Sequence, residues 1–372
     1  MAATTRKGVW DLQQVRDQYL AGEWEQQFEL WSWGLNSNGQ LGQNNVSQYS
    51  SPVQIPGTTW SSISGCQTFS LATKTDGTLW AWGRNAYGTL GQNNVTLYSS
   101  PVQIPGNTWS SIGGWFHSLS TKTDGTLWSW GRNNFGQLGQ NNTTEYSSPV
   151  QIPGTTWSSI SSVYLHSLAT KTDGTLWAWG SNSNGQLGQG DITHYSSPVQ
   201  IPGTTWSSIA AGQRFTLSTK TDGTLWSWGQ NTNGQLGQGD RTEYSSPVQI
   251  PGNTWSSISG WQHSLATKTD GTLWVWGSNS TGRLGQNNQT QYSSPVQIPG
   301  TTWNFVEVGA DHSFSIKTDG TLWAWGSGGG GALGQVVDTT SYSSPVQIPG
   351  NSWSVINASG SNFSLALKSL LN

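Results

Sequence analysis

Between Phe215 and Thr221 large and small side chains alternate with period two, the mark of a strand with one buried face. Thr224 to Trp228 reads as the returning strand. Its Leu225 falls on one face and Trp226 on the other, which suits a sheet packed between two neighbours. Asp222-Gly223 between them predicts a two-residue type I′ hairpin turn, with positive φ at both positions. Trp206 to Ile209 precedes this pair as a short first strand. Ser246-Pro247-Val248-Gln249-Ile250 follows as a fourth, placed at an edge because Pro247 has no amide to donate. Glycines of the loop from Gly229 to Gly239 supply backbone angles that other residues resist. Pro251-Gly252 then turns the chain toward the next unit. Four antiparallel strands in one unit predict a propeller blade.

The unit recurs. Leu-Trp-x-Trp-Gly occurs seven times at a spacing of 48 or 49 residues, with pairs at Trp31/Trp33, Trp80/Trp82, Trp128/Trp130, Trp177/Trp179, Trp226/Trp228, Trp274/Trp276 and Trp323/Trp325. A period of this length marks a propeller, a solenoid or an array. First-strand tryptophans stand at Trp60, Trp109, Trp157, Trp206, Trp255, Trp303 and Trp353, again seven. The last of these has no Trp-Gly after it, and the first Trp-Gly has no first strand before it. One blade must therefore combine Trp353 to Lys368 with Leu30 to Ile55, closing the ring and removing exposed sheet edges. The expected fold is all-β: a seven-bladed propeller of four-stranded antiparallel blades over residues 28–372. Residues 1–27 form a separate docking or capping segment, in which Leu12, Val15 and Tyr19 make a short helical stripe.

Composition narrows the function. Charged residues are 9% of the chain and the net charge is −3, so no basic field draws in nucleic acid or an anionic membrane. The 25 tryptophans argue against disorder. A single cysteine, Cys66, leaves no intramolecular disulfide and no metal cluster. No apolar run approaches the roughly 20 residues of a membrane span, and the N-terminus lacks the apolar core of a secretory signal.

Residues 28–372 resemble the regulator of chromosome condensation family. The matching residues in one unit are Gly212, Phe215-Thr216-Leu217, Asp222-Gly223, Trp228-Gly229, Asn231, Gly234-Gln235-Leu236-Gly237, Gly239-Asp240 and Pro247. Other copies carry the family's usual histidine, as in His117-Ser118-Leu119 and His263-Ser264-Leu265. The resemblance implies a seven-bladed propeller but not one task, since fold alone does not choose a function. The stretch Lys7-Gly8-Val9-Trp10-Asp11-Leu12 through Ala21-Gly22-Glu23-Trp24 resembles a segment of bacteriophage tail and other virion proteins.

No catalytic constellation stands out, and neither a cofactor nor a metal is expected. His117, His166, His263 and His312 hold one repeat position in four blades and read as structural groups satisfying nearby backbone. Lys74, Lys122, Lys171, Lys220, Lys268 and Lys317 each precede an Asp by two positions and read as solvated surface charges. The copies differ most in the loops joining first to second strands, which gather on one end of the ring. These loops offer Trp115, Phe116, Tyr164, Gln213, Arg214, Trp261, Gln262 and Asp311 as candidate ligand-binding residues, with aromatic rings beside polar groups as sugar recognition requires.

The reading that follows is a non-enzymatic bacteriophage virion protein, a tail-associated or surface-exposed host-recognition module. It would be released by lysis and would contact a host cell-surface glycan or protein through these loops. Trp10, Leu12, Tyr19 and Trp24 would dock it to other virion proteins. The alternative is a bacterial protein-binding propeller, an enzyme inhibitor or interaction scaffold. A nucleotide exchange factor fits poorly, because the chain has no basic tail.

Overall fold

A computed structural model describes residues 27–335, 340–358 and 362–370. They form seven four-stranded antiparallel sheets. Six are continuous in sequence and are numbered here as blade 1 (60–104), blade 2 (109–152), blade 3 (157–201), blade 4 (206–250), blade 5 (255–298) and blade 6 (303–348). Blade 7 is made from both ends of the chain. Its inner strands are Trp353–Asn357 and Phe363–Ser369, its outer ones Phe28–Gly34 and Tyr49–Ile55. The closing register pairs Phe28 with Ser369 and Gly34 with Phe363. The expected closure is what the chain adopts.

Blade 4 shows why the unit folds. Its strands are Trp206–Ala211, Phe215–Lys220, Leu225–Gly229 and Tyr244–Ile250. The hairpin departs from the expected turn. Of Asp222 and Gly223 only Gly223 has positive φ, at 78°. Lys220 accepts from the Gly223 amide at 2.9 Å and donates to the Thr224 carbonyl at 2.9 Å, so the loop holds three residues with glycine at its left-handed position. Asp222 Oδ1 accepts from the Thr224 amide (3.0 Å) and hydroxyl (2.7 Å), which draws its pKa below the ordinary carboxylate value. Threonine beside Asp-Gly selects this form.

The core lies between blades. The second tryptophan of each Leu-Trp-x-Trp-Gly motif is fully buried. Its indole donates across the junction to a backbone carbonyl of the preceding blade, as Trp179 does to Gln137 at 2.9 Å and Trp228 to Gln186 at 2.9 Å. The same carbonyl accepts a second-strand hydroxyl, from Ser167 or Thr216, both at 2.8 Å. Glycine of the preceding Leu-Gly is required for this approach: a Cβ on Gly188, where φ is +71°, would lie 2.8 Å from Trp228 Nε1.

The first-strand tryptophan packs edge-on against both motif tryptophans, Trp206 standing 6.2 Å from Trp226 and 5.8 Å from Trp228. Lys220 folds back over this group, its ammonium 4.7 Å from the Trp206 ring and 4.1 Å from that of Trp226. The hairpin lysines are thus half-buried cation–π partners and not the solvated charges expected from sequence.

The expected N-terminal helix, with Trp10, Leu12, Tyr19 and Trp24, lies outside the described residues. Among the described residues no helix is long and apolar enough to cross a membrane. Gly329–Gly331 makes a single 3-10 turn.

Replacing Trp179 by Ala removes a buried indole and its bond to the preceding blade, and is expected to cost about 3–5 kcal/mol. Half-buried Trp177, changed to Ala, should cost clearly less. Equilibrium denaturation of the two variants checks the order.

Candidate functional site

First strands run outward to one end of the ring, and the loops that follow them collect there around the axis. At this loop end Trp115 of blade 2 and Trp261 of blade 5 meet across the ring, ring centroids 4.2 Å apart at 31°. They are 2% and 8% exposed, so the two aromatics expected to face a ligand instead close the axis. Beneath them a cavity of about 150 Å³ is lined by first-strand residues of all seven blades, from Ser64 round to Asn357. Glu307 projects into it and is held by Ser259 Oγ (3.3 Å) and Asn357 Nδ2 (3.2 Å). Stacking of distant loops is what buries the tryptophans; no local pattern encodes it.

Around this plug lies a half-buried aromatic collar. Phe116 stands 6.5 Å from Trp115 and 6.0 Å from Tyr164, which in turn is 6.3 Å from Trp261. Arg214 lies over Tyr164 at 5.7 Å. Arg132 lies over both Phe116 (5.0 Å) and Tyr87 (5.1 Å). A small cleft beside Phe116 adds Arg84 and Tyr87. Gln262 donates to Gln213 at 2.7 Å, which ties the blade 4 and blade 5 loops together.

Asp311 is drawn away from the collar as the counter-ion of Arg283, at 2.6 Å. That arginine replaces the glutamine of the usual Gly-Gln-Leu-Gly and is buried, so its charge must be paired. The structure therefore brings Phe116, Tyr164, Arg214, Gln213 and Gln262 to one surface over the Trp115–Trp261 plug, and Asp311 to a structural pair.

Sequence reasoning missed Arg84, Arg132 and Tyr87. A signal was present in the residue after Trp-Gly, which runs Leu35, Arg84, Arg132, Ser181, Gln230, Ser278 and Ser327 around the ring. Only two copies carry Arg, and both lie beside the collar.

The repeat histidines are fully buried, and His117, His166 and His263 meet hydroxyls rather than the backbone groups expected, while neither ring nitrogen of His312 has a partner. His117 Nε2 is 2.7 Å from Ser167 Oγ, and His263 Nε2 is 2.7 Å from Ser313 Oγ, each in the next blade. Ser167 and Ser313 donate their hydroxyl protons to Gln137 and Arg283 carbonyls, at 2.8 and 2.7 Å. Imidazole must then donate from Nε2, so it cannot act as a base toward serine. Nδ1 has no partner in any of the four.

Burial pushes the pKa of His117, His166 and His312 down to about 3 and that of His263 well below its ordinary value, and the nearby Arg283 charge adds to the depression of His263 and His312. Among the described residues no group of His, Cys, Asp or Glu is arranged to hold a metal.

Fold and site together define a closed seven-bladed repeat propeller with a single asymmetric loop end. The chain belongs to the RCC1-like domain family, whose model matches residues 108–366; the regulator of chromosome condensation (RCC1) repeat matches residues 29–73 and 76–119. Comparison with curated proteins returned no match. Similar solved structures include Prp20p from Saccharomyces cerevisiae, at 22% identity and a TM-score of 0.84, covering 93% of this chain and 92% of that one. Human WBSCR16 is similar at 21% identity and a TM-score of 0.81, covering 93% and 100%.

Family membership overturns the virion reading. With it fall the bacteriophage tail assignment, virion partners, host-surface recognition of a glycan, and virion or extracellular localisation. That reading rested on residues 7–24, outside both family matches, together with the low charge and the lack of a signal-peptide pattern.

Acid sensitivity follows from the histidines. Unfolded, each has a pKa of about 6.5; folded, its value is depressed, so the unfolded state binds more protons below that pH. Stability should be flat above pH 7. It should then fall as pH drops from 6.5 toward 3, by up to about 1.4 kcal/mol per pH unit for each histidine. Melting temperature against pH, compared with that of His117→Gln, checks this: the variant should show a shallower slope.

Proposed function

We propose that the protein is an interaction scaffold that docks a protein partner on its loop end. The observation that carries this reading is the collar of Phe116, Tyr164 and Tyr87 with Arg132 and Arg214 over the Trp115–Trp261 plug. Tyrosine, tryptophan and arginine are the residues that dominate binding energy at protein interfaces. Here the rings are held rigid from below, so little entropy is lost on docking. The arginines give the surface a positive character that suits an acidic patch on the partner.

Two similar structures support a protein partner. Prp20p is described with binding properties toward Gsp1p and histones, and yeast RCC1 (Prp20) is solved with Kap60 bound, at 21% identity to this chain and a TM-score of 0.83. Residues 28–372 form the binding body in this proposal, and residues 1–27 a separate capping or docking segment.

Affinity capture from the producing cell, with the protein and with Arg132→Glu/Arg214→Glu, tests it. One partner should be retained by the parent and weakened about 30-fold or more in the variant, as expected for loss of interface hot spots. Unchanged melting would show that the ring is intact. Identical capture by both proteins would overturn the loop-end assignment.

A further inference from the structure

The opposite, hairpin end carries a different kind of site. At three blade junctions the same recess opens, with volumes of about 320, 320 and 390 Å³. These lie within the range of small-molecule pockets, about 300–1,000 Å³. In the largest, Trp303 and Trp323 form the floor with Ile298, Pro299 and Pro345 as apolar walls, and Lys317 enters from the hairpin. Trp109, Trp128, Pro105, Pro149 and Lys122 repeat the arrangement, as do Trp60, Trp80, Pro56, Pro101 and Lys74.

We propose that these blade junctions bind small apolar carboxylates, with the aryl or aliphatic body on the tryptophan and proline walls and the carboxylate on the lysine ammonium. Charge complementarity carries the assignment. Each ammonium lies over two indole rings, at 4.5 and 4.2 Å for Lys317, 4.5 and 4.2 Å for Lys122, and 4.9 and 4.3 Å for Lys74. Among the described residues the one salt bridge is Arg283–Asp311, so none of these ammonium groups has a carboxylate partner. The neighbouring hairpin aspartates, Asp76, Asp124 and Asp319, each hold a threonine amide and hydroxyl and lie outside the lining. A half-buried cation held at an apolar wall is an anchor for an anion. At one junction a further donor is present, since Trp60 Nε1 is buried without a partner.

The repeat multiplies the site. Lys171, Lys220 and Lys268 sit over their tryptophan pairs in the same way, at 4.1 to 4.7 Å, giving six equivalent positions. The seventh is looser: Lys368 stands 6.0 and 5.7 Å from the rings of Trp31 and Trp353.

Native mass spectrometry with naphthalene-2-carboxylate, and tryptophan fluorescence titration alongside it, read this directly. Several copies should bind, up to six per chain, and the neutral naphthalene-2-carboxamide should bind at least about tenfold more weakly. Lys317→Met keeps an apolar stem over the rings and should bind one copy fewer; Lys122→Met is an independent second case. No carboxylate binding at millimolar concentration, equal binding of the amide, or an unchanged copy number in both folded variants would overturn the proposal. Arg132→Glu/Arg214→Glu should leave the copy number unchanged, so this result and the loop-end docking result stand or fall separately.

Discussion

Everything in this ring depends on one bond, the indole N–H of the inner motif tryptophan reaching a backbone carbonyl of the blade before it. Between blades there is no sheet ladder, so an interior carbonyl there depends on side-chain donors, and the indole shares it with a second-strand Ser or Thr hydroxyl. Indole solves two problems at once. It fills the wedge between sheets with the largest apolar side chain and presents a donor at its far edge. Around the fixed carbonyl everything else is constrained: the Ser or Thr that shares it, the Leu-Gly whose glycine leaves room for the ring, and the strand order that aims the tryptophan. In blade 7 the rule still holds across the chain ends, Trp33 donating to Ala332 at 2.9 Å. The staple closes the circle as well as stacking the blades.

This explains which parts were legible in the sequence. Strand number, blade number and closure are set by residues that repeat because the junction repeats. Period, alternation and the unpartnered end motifs therefore reveal them. The hairpin was misread for a local reason. Asp-Gly alone suits a type I′ turn, but Thr224 offers Asp222 two donors, and that stabilises the longer loop with only glycine left-handed. Lysine was misread for a tertiary reason. Its charge read as solvated surface charge two positions before Asp222, yet the chain folds it over Trp206 and Trp226 instead.

The loop end shows the limit most clearly. Trp115 and Trp261 sit in variable loops, where an aromatic ring reads as exposed and available. Whether such a ring faces water depends on what the loop opposite carries, and the two partners are three blades apart. Single-loop reasoning also missed Arg132, whose place over Phe116 depends on the turn after a different strand. The virion reading failed for a related reason. It weighted a short terminal stretch above seven repeats, although the repeats cover nearly the whole chain and the family matches follow them.

Variation at the loop end has a geometric cause. Seven identical side chains directed at one axis cannot share its volume: large ones clash and small ones leave a hole. A ring built from near-identical blades can close its axis only by breaking symmetry there. Here two blades supply tryptophan, and at the same loop position others supply Gly212, Val163 or Cys66. The surface above such a plug occurs once per molecule, whereas six of the seven junctions at the hairpin end remain equivalent because nothing forces them apart. One end of the ring thus presents a single asymmetric surface, and the other repeats one chemistry around its rim.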